Sequence, residues 1–137
     1  MGHVLGLDMG TKRVGVSKSD ETETIAEAYA TLMYNGKEDL LAQVRRCVED
    51  LHAKKIIVGL PKTLLGEEGI AAEKVIRLVE WLKLRLPLEW VLWDERLTTA
   101  EAERILLKAD LSRKKRRDVR DRLAAQRILQ SYLDARP

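Results

Sequence analysis

The stretch VLGLDMGTKRVG, residues 4–15, decides how this chain folds. Residues 3–9 (HVLGLDM) and 13–19 (RVGVSKS) are strand-like runs, and the turn centred on Gly10 brings them close enough to pair antiparallel. Alternation along the first run sets Asp8 on the same face as Val4 and Gly6, so a carboxylate shares a face with apolar or small residues. A buried carboxylate without a partner is costly. Asp8 is therefore either a turn residue accepting N–H groups from the Gly10–Thr11 turn, part of a phosphate loop, or a metal ligand.

Working outward, a third strand is expected near residues 26–34, although its alanines are weak strand formers. Gly36 then precedes EDLLAQVRRCVEDLHA (38–53), where Leu40, Leu41, Val44, Val48 and Leu51 recur at helical spacing. KKIIVGLP (54–61) is apolar on both faces and stops at Pro61, as a central parallel strand buried between helices does. GEEGIAAEKVIRLVEWLKLRL (66–86) is the next helix, with Ile70, Val75, Leu78, Val79, Leu82 and Leu86 inward, and PLEWVLWDER (87–96) the next strand. A helix follows over 97–109, capped by Thr98 with Glu101 reciprocating, and a last helix runs from about Val119 to Leu133. The order predicts one α/β domain over residues 1–137, built on a sheet of mixed strand direction flanked by helices.

Composition narrows the classes. The chain has 137 residues, 34% of them charged, no Phe, three Trp and three Tyr, so aliphatic side chains carry the core and Trp81, Trp90 and Trp93 are expected to pack in it. No apolar run is long enough to span a bilayer and no targeting segment is visible, which points to a cytoplasmic protein with no membrane partner. Cys47, the only cysteine, is expected to be buried and inert. Net charge is only +3, but RKKRR at 113–117 is an unbroken cationic block, either a solvated loop or a polyanion contact.

Three acids stand out. Asp94 and Glu95 sit where a parallel strand meets its loop, the place at which α/β sheets gather ligand chemistry, although either could pair with Arg96 or Arg104. Asp121 falls in the middle of the apolar arc Ala124, Ala125, Ile128, Leu129 and Tyr132 of the last helix, and with Asp118 could also cap that helix. With Asp8 on a central strand, Glu95 leaving a strand two positions away at about 10 Å, and Asp121 packed over the same face, three carboxylates converge. Such a cluster repels itself unless a hard divalent cation neutralises it. Oxygen ligands suit Mg²⁺ or Mn²⁺, and no His or Cys cluster is present to suit zinc.

GLDMGTKRVGVSKSD (6–20), IIVGLP (56–61) with GEEG (66–69) after it, DERLTTAEAER (94–104) and DRLAAQRILQSYL (121–133) resemble, in order and spacing, the YqgF family, also called RuvX, relatives of the Holliday-junction resolvases. The resemblance implies a ribonuclease H-like fold, a mixed five-stranded sheet flanked by helices. Members are described as nucleases acting on the 5′ end of the 16S ribosomal RNA precursor, some acting on DNA junctions. By the same resemblance Asp8 matches the first-strand aspartate, Glu95 the acid of the DER motif and Asp121 the aspartate opening the last helix. IIVGLP ends without the glutamate that the related resolvases carry there, which keeps Asp94 as a rival to Glu95, and PKTLLG (61–66) lacks the asparagine expected after the proline.

The reaction expected is metal-dependent phosphodiester hydrolysis with Asp8, Glu95 and Asp121 as ligands. Gly10, Thr11, Lys12, Arg13, Arg96, Lys114, Lys115 and Arg116 would hold the nucleic acid, precursor rRNA or branched DNA, with ribosomal particles as a further partner and a monomer or homodimer as the working unit. LDMGT also resembles the first phosphate loop of the actin, hexokinase and Hsp70 ATPases, but 137 residues leave no room for their second lobe. A catalytically silent RNA-binding or ribosome-binding module is the third reading.

Overall fold

A computed structural model of the chain describes residues 2–61, 69–94 and 113–135. Strand β1, Val4–Met9, pairs antiparallel with β2, Arg13–Ser19, through the registers Asp8 with Gly15 and Met9 with Val14. The turn closes when the Gly10 N–H donates to the Arg13 carbonyl at 2.9 Å. A Cβ on Gly10 would lie 2.5 Å from that same oxygen, so glycine is what the turn requires. The expected third strand is present as β3, Ala26–Met33, antiparallel to β2 with a bulge between Val16 and Ser17.

Helix α1, Lys37–Leu51, follows Gly36, whose φ of 88° is cheap only for glycine, and ends at His52 in the left-handed conformation. Strand β4, Lys55–Leu60, lies parallel to β1; after α2, Ile70–Arg85, strand β5, Glu89–Asp94, lies parallel to β4. The last described element is α3, Arg113–Ala135. The sheet order is β3-β2-β1-β4-β5, five strands of mixed direction, and β5 stands two positions from β1 as the sequence predicted.

Two apolar layers flank the sheet. Leu5, Leu7, Val14, Val16, Ile56, Val58 and Leu60 face α1 and α2, joining Leu40, Val44, Cys47, Val75, Val79 and Leu82. Val4, Ala26 and Ile57 form the other layer with Ile128, Leu129 and Leu133 of α3. The strands therefore alternate as their sequences require, and β4 is apolar on both faces because both are covered. Cys47 is buried, and burial pushes its thiol above the ordinary value.

Three expectations need correcting. The last helix begins at Arg113, not near Val119, so RKKRR winds through its first turns and is not a loop. Ile70, expected inward, is 74% exposed at the first turn of α2, where Ala72 takes the buried position. Of the three tryptophans only Trp90 is fully in the core; Trp81 and Trp93 are half-buried. The Trp81 ring carries Lys37 Nζ 4.9 Å and the Arg85 guanidinium 4.0 Å from its centroid. The helix expected over 97–109 lies outside the described residues.

Candidate functional site

The site is built from β1, β2 and α3, and small residues make it. On the face of the β1–β2 hairpin that meets α3 stand Gly6, Asp8, Arg13, Gly15 and Ser17. A Cβ on Gly6 would lie 2.8 Å from Leu129 Cβ and 3.0 Å from the Ala125 carbonyl oxygen. A Cβ on Gly15 would lie 1.8 Å from the carbonyl oxygen of Asp121 and 3.1 Å from its Cα. Without side chains at those positions the backbone of α3 rests directly on the hairpin.

Hydrogen bonds fix α3 in that position. The buried Ser17 hydroxyl donates to the Ala125 carbonyl at 2.7 Å, and the Thr31 hydroxyl of β3 donates to the Asp118 carbonyl at 2.6 Å. Further along, the Gln126 amide donates to the Ala26 carbonyl at 3.0 Å, and the Ala26 N–H donates to Gln130 Oε1 at 2.8 Å. These contacts resist both sliding and rotation of α3, so each α3 side chain has a set place over the sheet.

The consequence is that two acidic residues lie on one face. Asp8 is the cross-strand partner of Gly15, whose bare face carries the Asp121 backbone. Asp8 and Asp121 thus share one face at the carboxyl end of β1. Arg13, two residues from Gly15 on the same face, places its Nε 2.9 Å from Asp121 Oδ2. That oxygen is buried and accepts no aligned hydrogen bond, so the contact is a charge pair off the hydrogen-bond axis. Burial is the largest influence on Asp121 and pushes its carboxyl above the ordinary range, against the lowering effect of Arg13 and Arg120; the neighbouring Asp118 charge raises it further.

This arrangement overturns the capping reading of Asp121. With α3 starting at Arg113, Asp121 stands in its third turn, and the first turn holds no acid. Its place on the apolar arc is as expected: Ala124, Ala125, Ile128 and Leu129 are all fully buried.

Asp94 ends β5 in register with Leu60, and Leu60 belongs to the layer under α1 and α2. Residues in register share a face, so Asp94 faces away from Asp8 and Asp121, whereas Trp93 packs on the α3 side. Glu95 and Arg96 lie outside the described residues, as do the side chains of Lys114 and Arg116. Gly10, Thr11 and Lys12 form the exposed turn beside Asp8, steadied by Tyr34 just after β3: the Tyr34 hydroxyl donates to the Gly10 carbonyl and the Tyr34 N–H to the Lys12 carbonyl. Lys115 and Arg117 are exposed on the first turns of α3. Cations there oppose the helix dipole, so the helix start and its side chains together present positive potential to an anion.

The donor set fits a hard divalent cation in kind. Two carboxylates share a face, and one has a buried oxygen short of hydrogen-bond donors. Among the described residues no group of three His, Cys, Asp or Glu side chains is assembled, so a third ligand has to come from outside them or from substrate or water. The strand positions missed by sequence reasoning are Gly6, Gly15, Ser17 and Thr31. Their signal was the run of small residues on one face of adjacent strands, which marks the close approach of another backbone.

A family model described as RuvX: Holliday junction resolvase matches residues 2–135. A protein of Thermoanaerobacter pseudethanolicus named "Putative pre-16S rRNA nuclease" is 44% identical over 133 residues, covering 96% of each chain. One of the same name from Bacillus cytotoxicus is 46% identical over 135 residues, covering 97% of this chain and 98% of its own. Among solved structures, the Fowlpox virus resolvase in complex with substrate Holliday junction DNA is 10% identical with a TM-score of 0.59, covering 97% of each chain. RuvC of T. thermophilus in complex with a Holliday junction substrate is 15% identical with a TM-score of 0.57, covering 97% of this chain and 94% of that one. At such identities the likeness is one of fold, the ribonuclease H-like arrangement of these resolvases. Among the described residues no helix is long and apolar enough to cross a membrane.

Proposed function

The chain belongs to the RuvX family, and on that footing we propose that it is a Mg²⁺- or Mn²⁺-dependent endonuclease that hydrolyses phosphodiester bonds at the 5′ end of 16S ribosomal RNA precursor, in the cytoplasm. The observation that carries the chemistry is the shared face of Asp8 and Asp121, with a buried Asp121 oxygen lacking an aligned donor.

Asp8, Asp121 and Glu95 are the proposed metal ligands and catalytic carboxylates. Glu95 is preferred to Asp94 because Asp94 faces the opposite side of the sheet. When bound, a divalent cation there lowers the pKa of a water and neutralises charge developing on the phosphate. Asp8 is held by the sheet and Asp121 by α3, so the ligands are placed before substrate arrives. Their negative charge on the bare protein favours the cation and disfavours direct approach of phosphate, which orders the two binding events.

The turn of Gly10, Thr11 and Lys12, with Arg13 and Arg96, is proposed to hold the phosphates flanking the scissile bond, and Lys114, Lys115 and Arg116 to hold the strand further along. Contacts to phosphate position a nucleic acid without reading its sequence, so selectivity for one precursor site would come from RNA shape or from the ribosomal particle carrying it.

The test is cleavage with Mn²⁺ of a precursor 16S fragment and a four-way DNA junction side by side, by the wild type and by Asp8→Asn. Cleavage of the RNA that disappears in the variant, while RNA binding measured in EDTA stays within about threefold, is the expected result. Cleavage of the junction alone would replace the rRNA substrate with branched DNA. Cleavage of neither would leave a binding module without activity.

A further inference from the structure

Resting on the metal-nuclease reading above, we propose that Arg13 is a resident counter-cation, neutralising Asp121 while no divalent ion is bound and passing to a substrate phosphate when one is. Arg13 opens β2 directly after the Gly10–Lys12 turn, and its Nε lies 2.9 Å from Asp121 Oδ2. Its backbone is fixed, because its carbonyl accepts from Gly10 and it is in register with Met33. Exchange of partners therefore requires only side-chain rotation.

The form of the contact favours exchange. A permanent arginine–carboxylate pair gains most from two parallel N–H···O bonds. Here Nε comes within 2.9 Å of a buried oxygen that receives no aligned hydrogen bond. The Arg13 side chain remains 22% exposed, so part of it is open to solvent.

Charge couples the two states. A guanidinium and a divalent cation cannot both sit on one buried carboxylate oxygen, because their repulsion is strong where water is scarce. Arginine stays charged at any relevant pH, so it cannot yield by losing a proton and has to move. Its fork matches a phosphate, the anion that the proposed substrate brings to the same turn. Loading of the ion and capture of the phosphate thereby favour each other, and such coupling is reciprocal. Before loading, the same arginine spares Asp121 the cost of a buried, unpaired charge.

The experiment uses the full chain, with Mn²⁺ alone followed by electron paramagnetic resonance of the free ion, and a short labelled single-stranded RNA bound in EDTA or in Ca²⁺, checked for absence of cleavage. Arg13→Gln is expected to bind Mn²⁺ several-fold more tightly than wild type, since a competing cation is gone. Its RNA affinity should equal wild type in EDTA and fall about tenfold short of it in Ca²⁺, because the arginine contact is available only after metal loading. Arg13→Lys, which keeps the charge and loses the fork, should retain wild-type Mn²⁺ affinity and recover part of the RNA gain; it also serves if the glutamine variant melts early. Equal or weaker Mn²⁺ binding by Arg13→Gln would make Arg13 a prop for Asp121 and overturn the inference, as would an RNA deficit of the same size in EDTA and Ca²⁺. Wild-type Mn²⁺ binding that Asp8→Asn loses keeps the metal reading standing whatever Arg13 does; no Mn²⁺ binding by wild type removes both.

Discussion

Gly15 of β2 carries the backbone of Asp121 against its bare face, so closely that a Cβ there would lie 1.8 Å from the Asp121 carbonyl oxygen. Because Gly15 is also the cross-strand partner of Asp8, one missing side chain sets both the approach of α3 and the company Asp121 keeps. Gly15→Ala is expected to push α3 off the hairpin at a cost of about 1–3 kcal/mol. The variant should show a lowered Tm by circular dichroism and weakened Mn²⁺ binding together. A stable variant with unchanged Mn²⁺ affinity would show that α3 does not position Asp121.

Asp121→Asn should raise stability at neutral pH while abolishing metal-dependent cleavage. Burial holds the Asp121 carboxyl above its ordinary value of 3.8 in the folded protein. Between the unfolded and folded pKa values the native state therefore binds more protons, and its stability falls as pH rises through that window. Above the window the ionised group is a standing cost that asparagine removes. The gain in Tm should grow as pH rises above 3.8 and should shrink to nothing below it. A lower Tm at neutral pH would mean that the pair with Arg13 outweighs the burial.

Mn²⁺ added to the wild type should raise its Tm in proportion to the logarithm of its concentration above Kd, since an ion that binds only the folded state stabilises it. Asp8→Asn should lose that response. Because even outer partners of metal ligands change affinity by about 10–100-fold, losing a ligand should cost at least about 100-fold. Calorimetric titration measures it directly.

Lys12→Ala should weaken RNA binding evenly across sequences and reduce the salt slope. Each phosphate contact to a single strand contributes about 0.7 to the slope of log affinity against log salt, so the variant should be shallower by about that amount. An unchanged slope would place Lys12 away from the nucleic acid.

Asp20 makes a prediction of opposite sign to Asp121. Its Oδ1 accepts from the Thr24 N–H at 2.8 Å and the Ile25 N–H at 2.9 Å, and its Oδ2 from the Thr22 hydroxyl. The Ile25 bond, then those from Thr22 and Thr24, lower its pKa to about 2. The stability it lends the β2–β3 turn is full above 3.8 and is lost as pH falls through about 2, which carboxyl chemical shifts would follow in an NMR titration.

Much of this architecture was legible because it depends on short-range pattern. Alternation in residues 3–9 and 13–19 with a glycine between them leaves little choice but a hairpin. The double-faced apolar run Ile56–Leu60 has to lie between two layers, and the helical spacing of Leu40, Leu41, Val44, Val48 and Leu51 names the side of α1 that packs on the core. What local pattern misjudged was extent. Five adjacent cations left a solvated loop open beside a polyanion contact and put the helix start near Val119, yet the structure carries them into α3.

By itself the sequence determined the strand and helix order, the burial of both faces of β4 and the placing of Asp8 and Asp121 on faces turned toward the core, since each depends on a period of two or of 3.6 residues. Only the tertiary structure decided which face each acid shares with which. The register of Asp8 with Gly15, the seating of α3 on Gly6 and Gly15 by Ser17 and Thr31, the pairing of Arg13 with Asp121 and the turning of Asp94 to the other side all depend on contacts between residues far apart in the chain. Local periodicity says which way a side chain points on its own element. The partner across the gap is chosen by how closely two backbones can approach, which here depends on two glycines.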